Sequence, residues 1–403
     1  MRIRSRVASE DGAILVQAAL AMVTLLAFSS FVVDYGVMWV GRGQAQNAAD
    51  AGALAGATAL AFDSFTDRTG TGPAKVAANT MALQHRIWGV SPVSLIARDV
   101  TFPTVPAICE DTSCIRVDVY RNQTMGSALP TFFGLAAGVT DQGVRAMAIA
   151  RAAVGSASTC LKPWAVPDKW LDNDDSTLPI DNAWTPDDVF DRYDGSGNVI
   201  LGPDVYIPPS HNGPGTGFTI AQDLGTRMIL KPGSPSDAIA PGWFFPIDLP
   251  RVSGPSSGGQ KYRENIATCN GVLEEIGDSL TVENGNMIGP TGQGVADLIA
   301  LDPNAQWDPV GKRVINSCAQ SSTPCAARSP RIVPLPVFDP DVYQAGKHSG
   351  KIDISIVNIL GYFIDDMVGS DVIGYLVLAP GVVTGGAPFG FESAFLRSLV
   401  MVR

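Results

Sequence analysis

The sequence predicts an α+β protein in which an N-terminal transmembrane helix continues into a second helical segment with a small β-sheet. A loop-rich, mostly-β module stabilised by disulfides follows. Three observations predict this class: an uncharged run over residues 13–33, an alanine-rich and proline-free stretch over 34–62, and a region after residue 155 that mixes glycine, proline and cysteine with short apolar pieces. The predicted segments are 1–12, 13–33, 34–62, 63–155 and 156–403.

The run AILVQAALAMVTLLAFSSFVV, residues 13–33, has the length of a membrane span. At about 1.5 Å per residue, a helix of this length crosses a hydrocarbon layer of roughly 30 Å. Three basic residues precede the run: Arg2, Arg4 and Arg6. Arg42 is the only basic residue among residues 34–53, which follow the run. The positive-inside rule therefore places the N-terminus in the cytoplasm and the bulk of the chain outside it.

The run is longer than the apolar core of a cleavable signal peptide, which favours an uncleaved anchor. Cleavage by signal peptidase after Ser29 is the alternative, because the small residues Ala27 and Ser29 stand at positions −3 and −1 relative to that cut. The sequence therefore predicts a tethered extracytoplasmic protein.

The stretch after the membrane run favours a helix with one narrow face of small residues. At 100° per residue this face contains Gly41, Ala45, Ala48, Ala49, Gly52, Gly56 and Ala59. Polar residues lie roughly opposite: Gln46, Asn47, Asp50 and Thr58. Such a stripe allows another backbone to approach closely, so we expect it to be a packing seam for partner helices. A flexible alanine-rich stalk is the alternative.

Five positions carry a resemblance to a known family. Gly12 lies near the membrane entry, Asp34 lies at the exit, and Gln46, Asn47 and Asp50 open a polar-then-alanine block. Together they resemble the N-terminal segment of Tad-like proteins of bacterial tight-adherence (Flp-type) pilus systems. The resemblance implies a pilin-like helix in the inner membrane, with lipid and pilus-assembly proteins or pilin as partners.

One departure from the processed pilins concerns cleavage. Those proteins carry a glutamate five residues after the cleaved glycine, and this chain has Gln17 there. The resemblance therefore implies a retained accessory subunit with a structural role, not an enzyme.

Composition excludes one class of partner and is compatible with a sizeable core. The net charge is −11 and the isoelectric point about 4.7, which opposes nucleic-acid binding because that function needs a basic surface. Hydrophobic residues make up 46% of the chain, enough to bury a core after the anchor is set aside.

All six cysteines follow the membrane run: Cys109, Cys114, Cys160, Cys269, Cys318 and Cys325. An even number in an oxidising compartment favours disulfides, although sequence alone does not choose among the possible pairings. Local closure favours Cys109–Cys114 and Cys318–Cys325, which leaves Cys160–Cys269 as a long-range bridge. Zinc is a weak alternative, because the chain has three histidines and no paired CxxC spacing.

Alternation predicts strands over residues 93–102, 114–122 and 144–154, with a short helix over 131–139. The segments 351–368 and 371–383 predict strands of a buried sheet. From residue 156 up to these two segments, the sequence predicts short strands separated by long loops.

Aspartates crowd residues 168–194 and suggest calcium as a second hypothesis. The candidate ligands are Asp172, Asp174, Asp191 and Asp194. However, Tyr193 occupies a position where a calcium-binding loop needs an oxygen ligand, so solvated loop acids are the simpler interpretation. No other cofactor is predicted.

Other chemical motifs are weaker. GPSSG places Ser256 at the centre of a G-x-S-x-G pattern, with His348 as the downstream histidine, but the flanking prolines favour a loop. DISIV resembles the first metal-binding segment of von Willebrand A-type domains, although Val357 replaces its second serine. Five tryptophans after residue 155 could line a glycan surface or pack in the core.

The preferred function is a structural accessory subunit in assembly or anchoring of a tight-adherence pilus. A membrane-anchored adhesin that binds calcium or glycan is the alternative, and an anchored envelope hydrolase is a weaker one.

Overall fold

The computed structural model describes residues 10–105, 108–109, 113–173, 184–186, 188–321, 323–326, 328–348, 353–385 and 389–402. Packing divides the chain into two compact units. The first contains Met1–Ala152 with Leu399–Arg403, and the second contains Ala153–Ser398. The five predicted segment boundaries stay predictions, because the units are defined by packing and not by position relative to a membrane.

The first unit begins with one long helix, α1, over Glu10–Phe62. It is continuous because the segment contains no proline and many alanines, which outweigh the cost of its glycines. After a turn the chain enters α2, Pro73–Gln84, whose proline lies in the first turn, where its missing amide hydrogen costs nothing.

Three antiparallel strands of this unit pack against α1 and α2. They are β1 at Val100–Thr101, β2 at Cys114–Arg121 and β3 at Val144–Val154, in the order β1-β2-β3. Ile115, Val117 and Val119 of β2 are buried against the alanines of the two helices. The core of this unit is therefore built from small helix residues and branched strand residues.

The strand predicted over 93–102 is mostly wrong. Only its last part forms β1, and the preceding residues form a turn in which the Leu95 amide donates to the Asp99 carboxylate at 2.7 Å. A side chain that accepts from a nearby amide competes with strand pairing. The helix predicted over 131–139 is a short 3₁₀ helix, Gly134–Ala137, and a second one covers Gln123–Met125.

The second unit is rich in short strands and loops. Its strands are β4 Ala157–Ser158, β5 Trp164–Pro167, β6 Arg227–Pro232, β7 Trp243–Pro246, β8 Glu274–Glu275, β9 Ser279–Thr281, β10 Gln306–Asp308, β11 Arg313–Ile315, β12 Ile332–Phe338, β13 Asp353–Val368, β14 Asp371–Val377, β15 Ala379–Pro380 and β16 Leu396–Val402, the last of which ends in the first unit. Its helices are α3 Ile220–Asp223, α4 Gly258–Ala267, α5 Ile288–Ala300 and α6 Pro340–His348, with a 3₁₀ helix at Cys318–Gln320.

Six of these strands form a sheet that closes on itself. The order is β12-β5-β7-β6-β14-β13, and β13 pairs again with β12 from Ile332↔Phe363 to Phe338↔Ile356. Closure removes the free edges at which sheets aggregate. Gly374 is needed inside it, because a Cβ there would lie 2.1 Å from the Phe363 carbonyl oxygen. A long apolar N-terminal helix followed by a mostly-β, disulfide-containing module confirms the predicted fold class.

Candidate functional site

Helix α1 changes its environment at Asp34. The side chains described between Ala13 and Val33 are all exposed, whereas one face of the helix is buried from Val37 onward. Within the described residues, one helix is long and apolar enough to cross a membrane by length and composition, and the most apolar window of α1 has no buried residue. An apolar surface of this size and exposure is typical of a segment that contacts lipid or another protein.

Asp34 joins α1 to a distant loop at this boundary. Its carboxylate accepts hydrogen bonds from the backbone amides of Phe132 at 2.8 Å, Phe133 at 3.1 Å and Gly134 at 2.6 Å. The Phe132 bond is the largest cause of a lowered Asp34 pKa; desolvation opposes it, and the other two amides add to it. The carboxylate therefore stays charged while it holds the loop beside the helix.

The small-residue face of α1 is filled by the same chain. All seven seam residues are buried: Gly41, Ala45, Ala48, Ala49, Gly52, Gly56 and Ala59. A Cβ at Gly52 would lie 2.9 Å from both the Ala78 oxygen and the Ala82 Cβ of α2, and one at Gly56 would lie 2.6 Å from Ile115 of β2. The expectation that this seam engages partner helices is therefore corrected, because α2 and β2 occupy it.

The opposite face of α1 stays open. We call it the outer stripe, and it consists of Gln46, Asn47, Asp50, Leu54 and Thr58. The Gln46 side-chain amide donates to Asp50 at 2.8 Å and to the Met147 carbonyl of β3 at 3.1 Å, so it is held in place. Asn47 is exposed beside it. This stripe is an exposed and mostly polar surface of the helix.

The segment that carries these features matches a pilus-assembly family. Residues 12–59 match the family model Tad, described as "Putative Flp pilus-assembly TadE/G-like". The match covers 48 of the 403 residues, from Gly12 to the end of the seam. No curated protein and no solved structure matches the chain.

The structure separates the motif residues of the Tad-like segment into distinct positions. Gly12 lies in the first turns of α1, Asp34 binds the loop, and Gln46, Asn47 and Asp50 lie on the outer stripe. Ala48 and Ala49, which lie between Asn47 and Asp50, face the core. Sequence periodicity separated the polar face from the small one, but it could not reveal what filled the small face.

Three disulfides are present: Cys109–Cys114, Cys160–Cys269 and Cys318–Cys325. The first lies in the unit of the Tad-like segment, and the other two lie in the second unit. The first and third are the pairs that local closure favours, and the second is the pair that remains. The Cys160–Cys269 bridge joins chain segments separated by 109 residues, beside a Gly271 amide that donates to the Thr159 carbonyl at 3.0 Å.

The four calcium candidates do not form a common centre in the described residues. Asp194 accepts from the Ser196 and Asn198 amides at 2.8 and 2.9 Å, as a turn residue does, and Asp191 is exposed. Asp172 lies beside Asp204, and Asp174 falls outside the described residues. Across the described chain, no group of three or more His, Cys, Asp and Glu residues is arranged to hold a metal ion.

The hydrolase motif lacks its structural context. Ser256 is exposed in a loop that precedes α4, with no strand entering it as a nucleophile elbow requires. The side chain of His348 falls outside the described residues. Asp353 begins β13 and accepts from the Thr281 hydroxyl of β9 at 3.0 Å, as an ordinary strand residue does.

The tryptophans of the second unit are mainly core residues. Trp164 and Trp170 are buried, and Trp170 packs edge-on against Trp184 at 5.7 Å between ring centroids. Trp307 stacks on Tyr375 at 4.8 Å. These rings pack against other side chains of the unit and do not form an exposed aromatic surface.

Sequence reasoning missed two buried charges of the second unit. Lys162 is fully buried, which lowers its pKa to about 7, and its Nζ donates to the carbonyls of Asn265 and Thr268 at 3.2 and 2.9 Å. Asp168 is also fully buried, and burial raises its pKa to about 6 against the hydrogen bonds that it accepts. The signal that could have revealed them is their position beside the buried strand β5, with Lys162 two residues before it and Asp168 directly after it.

Asp168 predicts a pH dependence of stability. Its pKa of about 6 in the folded chain exceeds 3.8, so the folded state binds the extra proton between these values. The stabilisation that protonated Asp168 gives the folded state is full below about pH 4. It is lost as the pH rises through 6, which lowers the free energy of unfolding by on the order of 3 kcal/mol. We expect Asp168→Asn to remove this part of the pH dependence in denaturant titrations of the full chain in detergent. The exposed Asp191→Asn variant is the control; equal pH profiles for both variants would contradict the prediction.

Proposed function

We propose that this protein is a structural accessory subunit that helps to assemble or anchor a tight-adherence (Flp-type) pilus. Residues 13–33 anchor it in the bacterial inner membrane, and the bulk of the chain lies on the extracytoplasmic side. One observation carries the proposal: the Tad-like match covers the same residues in which α1 passes from an unpacked apolar segment to a segment packed by its own unit. The role needs no catalytic residue.

Charge and cysteine chemistry support the orientation. Three arginines precede the apolar run, and Arg42 is the basic residue that follows it most closely. Three disulfides suit an oxidising compartment such as the periplasm. The net charge of −11 opposes nucleic acid as a partner, because that function needs a basic surface.

The partner surface in this proposal is the outer stripe, not the seam. The seam cannot accept a second helix, since α2 already lies within contact distance of Gly52 and Gly56. The outer stripe presents Asn47 and the Gln46–Asp50 pair in a fixed arrangement above the membrane exit. A fixed set of polar groups offers directional hydrogen bonds to a pilin or an assembly protein.

Site-specific photo-crosslinking tests this proposal. We expect a photoreactive amino acid at Asn47 to give a defined adduct with a pilin or pilus-assembly protein in cells that express the system. The same reagent at Val310, an exposed residue of the second unit outside the stripe, is the control and should give no such adduct. Adducts at neither position, in cells that assemble pili, would contradict the outer stripe as the partner surface.

A further inference from the structure

An apolar loop lies at the point where α1 leaves the proposed membrane. We call residues 130–139 the boundary loop. Phe132, Phe133, Leu135 and Val139 are exposed by 57%, 48%, 63% and 47%, although all are large apolar side chains. The segment from Pro130 to Thr140 contains no charged residue. Four such side chains in one short loop form a patch that water solvates poorly.

Asp34 fixes the position of this loop along the helix. The amides of Phe132, Phe133 and Gly134 all donate to its carboxylate, so the loop lies level with the first residue after the apolar run. The polar layer on each side of the hydrocarbon is only about 5–7 Å thick, and a helix rises about 1.5 Å per residue. The boundary loop therefore lies within the depth of the lipid headgroups when residues 13–33 span the hydrocarbon.

Aromatic side chains on α1 mark the same level. Phe31, Tyr35 and Trp39 form a stacked row, with ring centroids 5.9 and 6.4 Å apart, and Trp39 is 68% exposed. Tyrosine and tryptophan are enriched where a protein crosses the membrane–water interface. The indole of Trp88 donates to the Val37 carbonyl at 3.1 Å, which brings another aromatic residue to this depth.

We propose that the boundary loop inserts its apolar side chains into the lipid interface of the leaflet from which α1 emerges, and that Asp34 is the residue that positions it. The proposal rests on the membrane anchor of the proposed function. It gives the first unit a second lipid contact beside the helix. Two contacts at one leaflet restrict the tilt of α1, so the outer stripe keeps a fixed angle to the membrane normal.

Lipid is the occupant that the surroundings favour. The patch is continuous with the exposed apolar surface of residues 13–33, which ends where Asp34 binds the loop. The loop is uncharged and carries phenylalanine and leucine, the residues that an interfacial segment buries among headgroups and upper acyl chains. The carboxylate that holds the loop is satisfied by three amides, so no bare charge accompanies the insertion.

Fluorescence quenching by nitroxide lipids tests the insertion. The full chain carries an environment-sensitive fluorophore on Phe133→Cys and is reconstituted into phosphatidylcholine–phosphatidylglycerol vesicles; the described structure has no free native cysteine. We expect a loss of fluorescence that is greater with the nitroxide near the headgroup than with it in mid-chain. The controls are Leu20→Cys in the anchor, quenched best from mid-chain, and Val310→Cys on the exposed surface of the second unit, with no loss.

Each outcome separates the two proposals. Quenching at Leu20 together with no loss at Phe133 would overturn the loop insertion and leave the anchor intact. No loss at Leu20 would overturn the anchor and the insertion with it. The positioning role of Asp34 is tested in the same vesicles with Asp34→Ala, which should reduce the loss at Phe133 and leave that at Leu20 unchanged. Near-ultraviolet circular dichroism checks that this variant is folded, and unchanged quenching in a folded variant would overturn the positioning role.

Discussion

Replacement of both Cys160 and Cys269 by alanine should lower the free energy of unfolding of the second unit by about 4–5 kcal/mol. This bridge joins residues 109 positions apart, and loop-closure entropy in the unfolded chain grows with that separation. It also holds the segment before β5 beside the end of α4, where the buried Lys162 amino group donates to the carbonyls of Asn265 and Thr268. Loss of the bridge therefore also removes the constraint that keeps this buried amino group beside its partners.

Denaturant titration of the detergent-solubilised chain, followed by the tryptophans of the second unit, measures this change. The matched control removes Cys318–Cys325, whose cysteines are 7 positions apart and whose loss should cost only about 2–3 kcal/mol. Equal losses for the two bridges would mean that loop closure does not account for the stabilisation.

Gly52→Leu should unfold the first unit or destabilise it by at least about 3 kcal/mol, the upper end of the range for overpacked cores. Even a Cβ at this position would lie 2.9 Å from the Ala78 carbonyl oxygen, a backbone atom that cannot move without displacing α2. Three alanines of α2 face this contact and are fully buried: Ala74, Ala78 and Ala82. The two helices approach closely because neither has a side chain larger than a methyl group there.

Gly43→Leu is the control in the same helix. No atom lies within 4 Å of a Cβ at Gly43, so the change should cost nothing and can add up to about 1 kcal/mol through helix propensity. Hydrogen exchange of residues 73–84 reports the difference, with fast exchange expected for Gly52→Leu alone. Slow exchange in both variants would show that the seam tolerates bulk. Failure of pilus assembly in Gly52→Leu cells would reflect misfolding, not a lost partner contact.

Local signals explain which parts of the fold the sequence predicts. The absence of proline and the alanine content predict α1, and alternation predicts β2 and β3. Residues 93–102 also show apolar runs, but the Asp99 side chain accepts from the Leu95 amide and stabilises a turn that periodicity does not report. Such competition between a side chain and the backbone is visible only when the turn geometry is known.

Nonlocal contacts explain what the sequence does not predict. The seam is recognisable in the sequence as a stripe of small residues, but its occupant is not. In α2 a matching stripe, Ala74, Ala78 and Ala82, has a spacing of four residues, and this spacing was the available signal that α2 packs against the seam. Asp34 and its loop are about 100 residues apart, so nothing local pairs them. The closed sheet likewise depends on the parallel pairing of β5 with β12, which are separated by most of the second unit.

The anchor is the central claim, and fractionation of the tagged full-length protein with intact-mass analysis tests it most directly. We expect the chain in the inner-membrane fraction, resistant to alkaline extraction, with the residues before Ala13 still attached, because Gln17 stands where processed pilins carry glutamate. A chain that begins at Ala13 would indicate processing as a true pilin-like subunit. A soluble chain that begins near Ser30 would contradict the anchor.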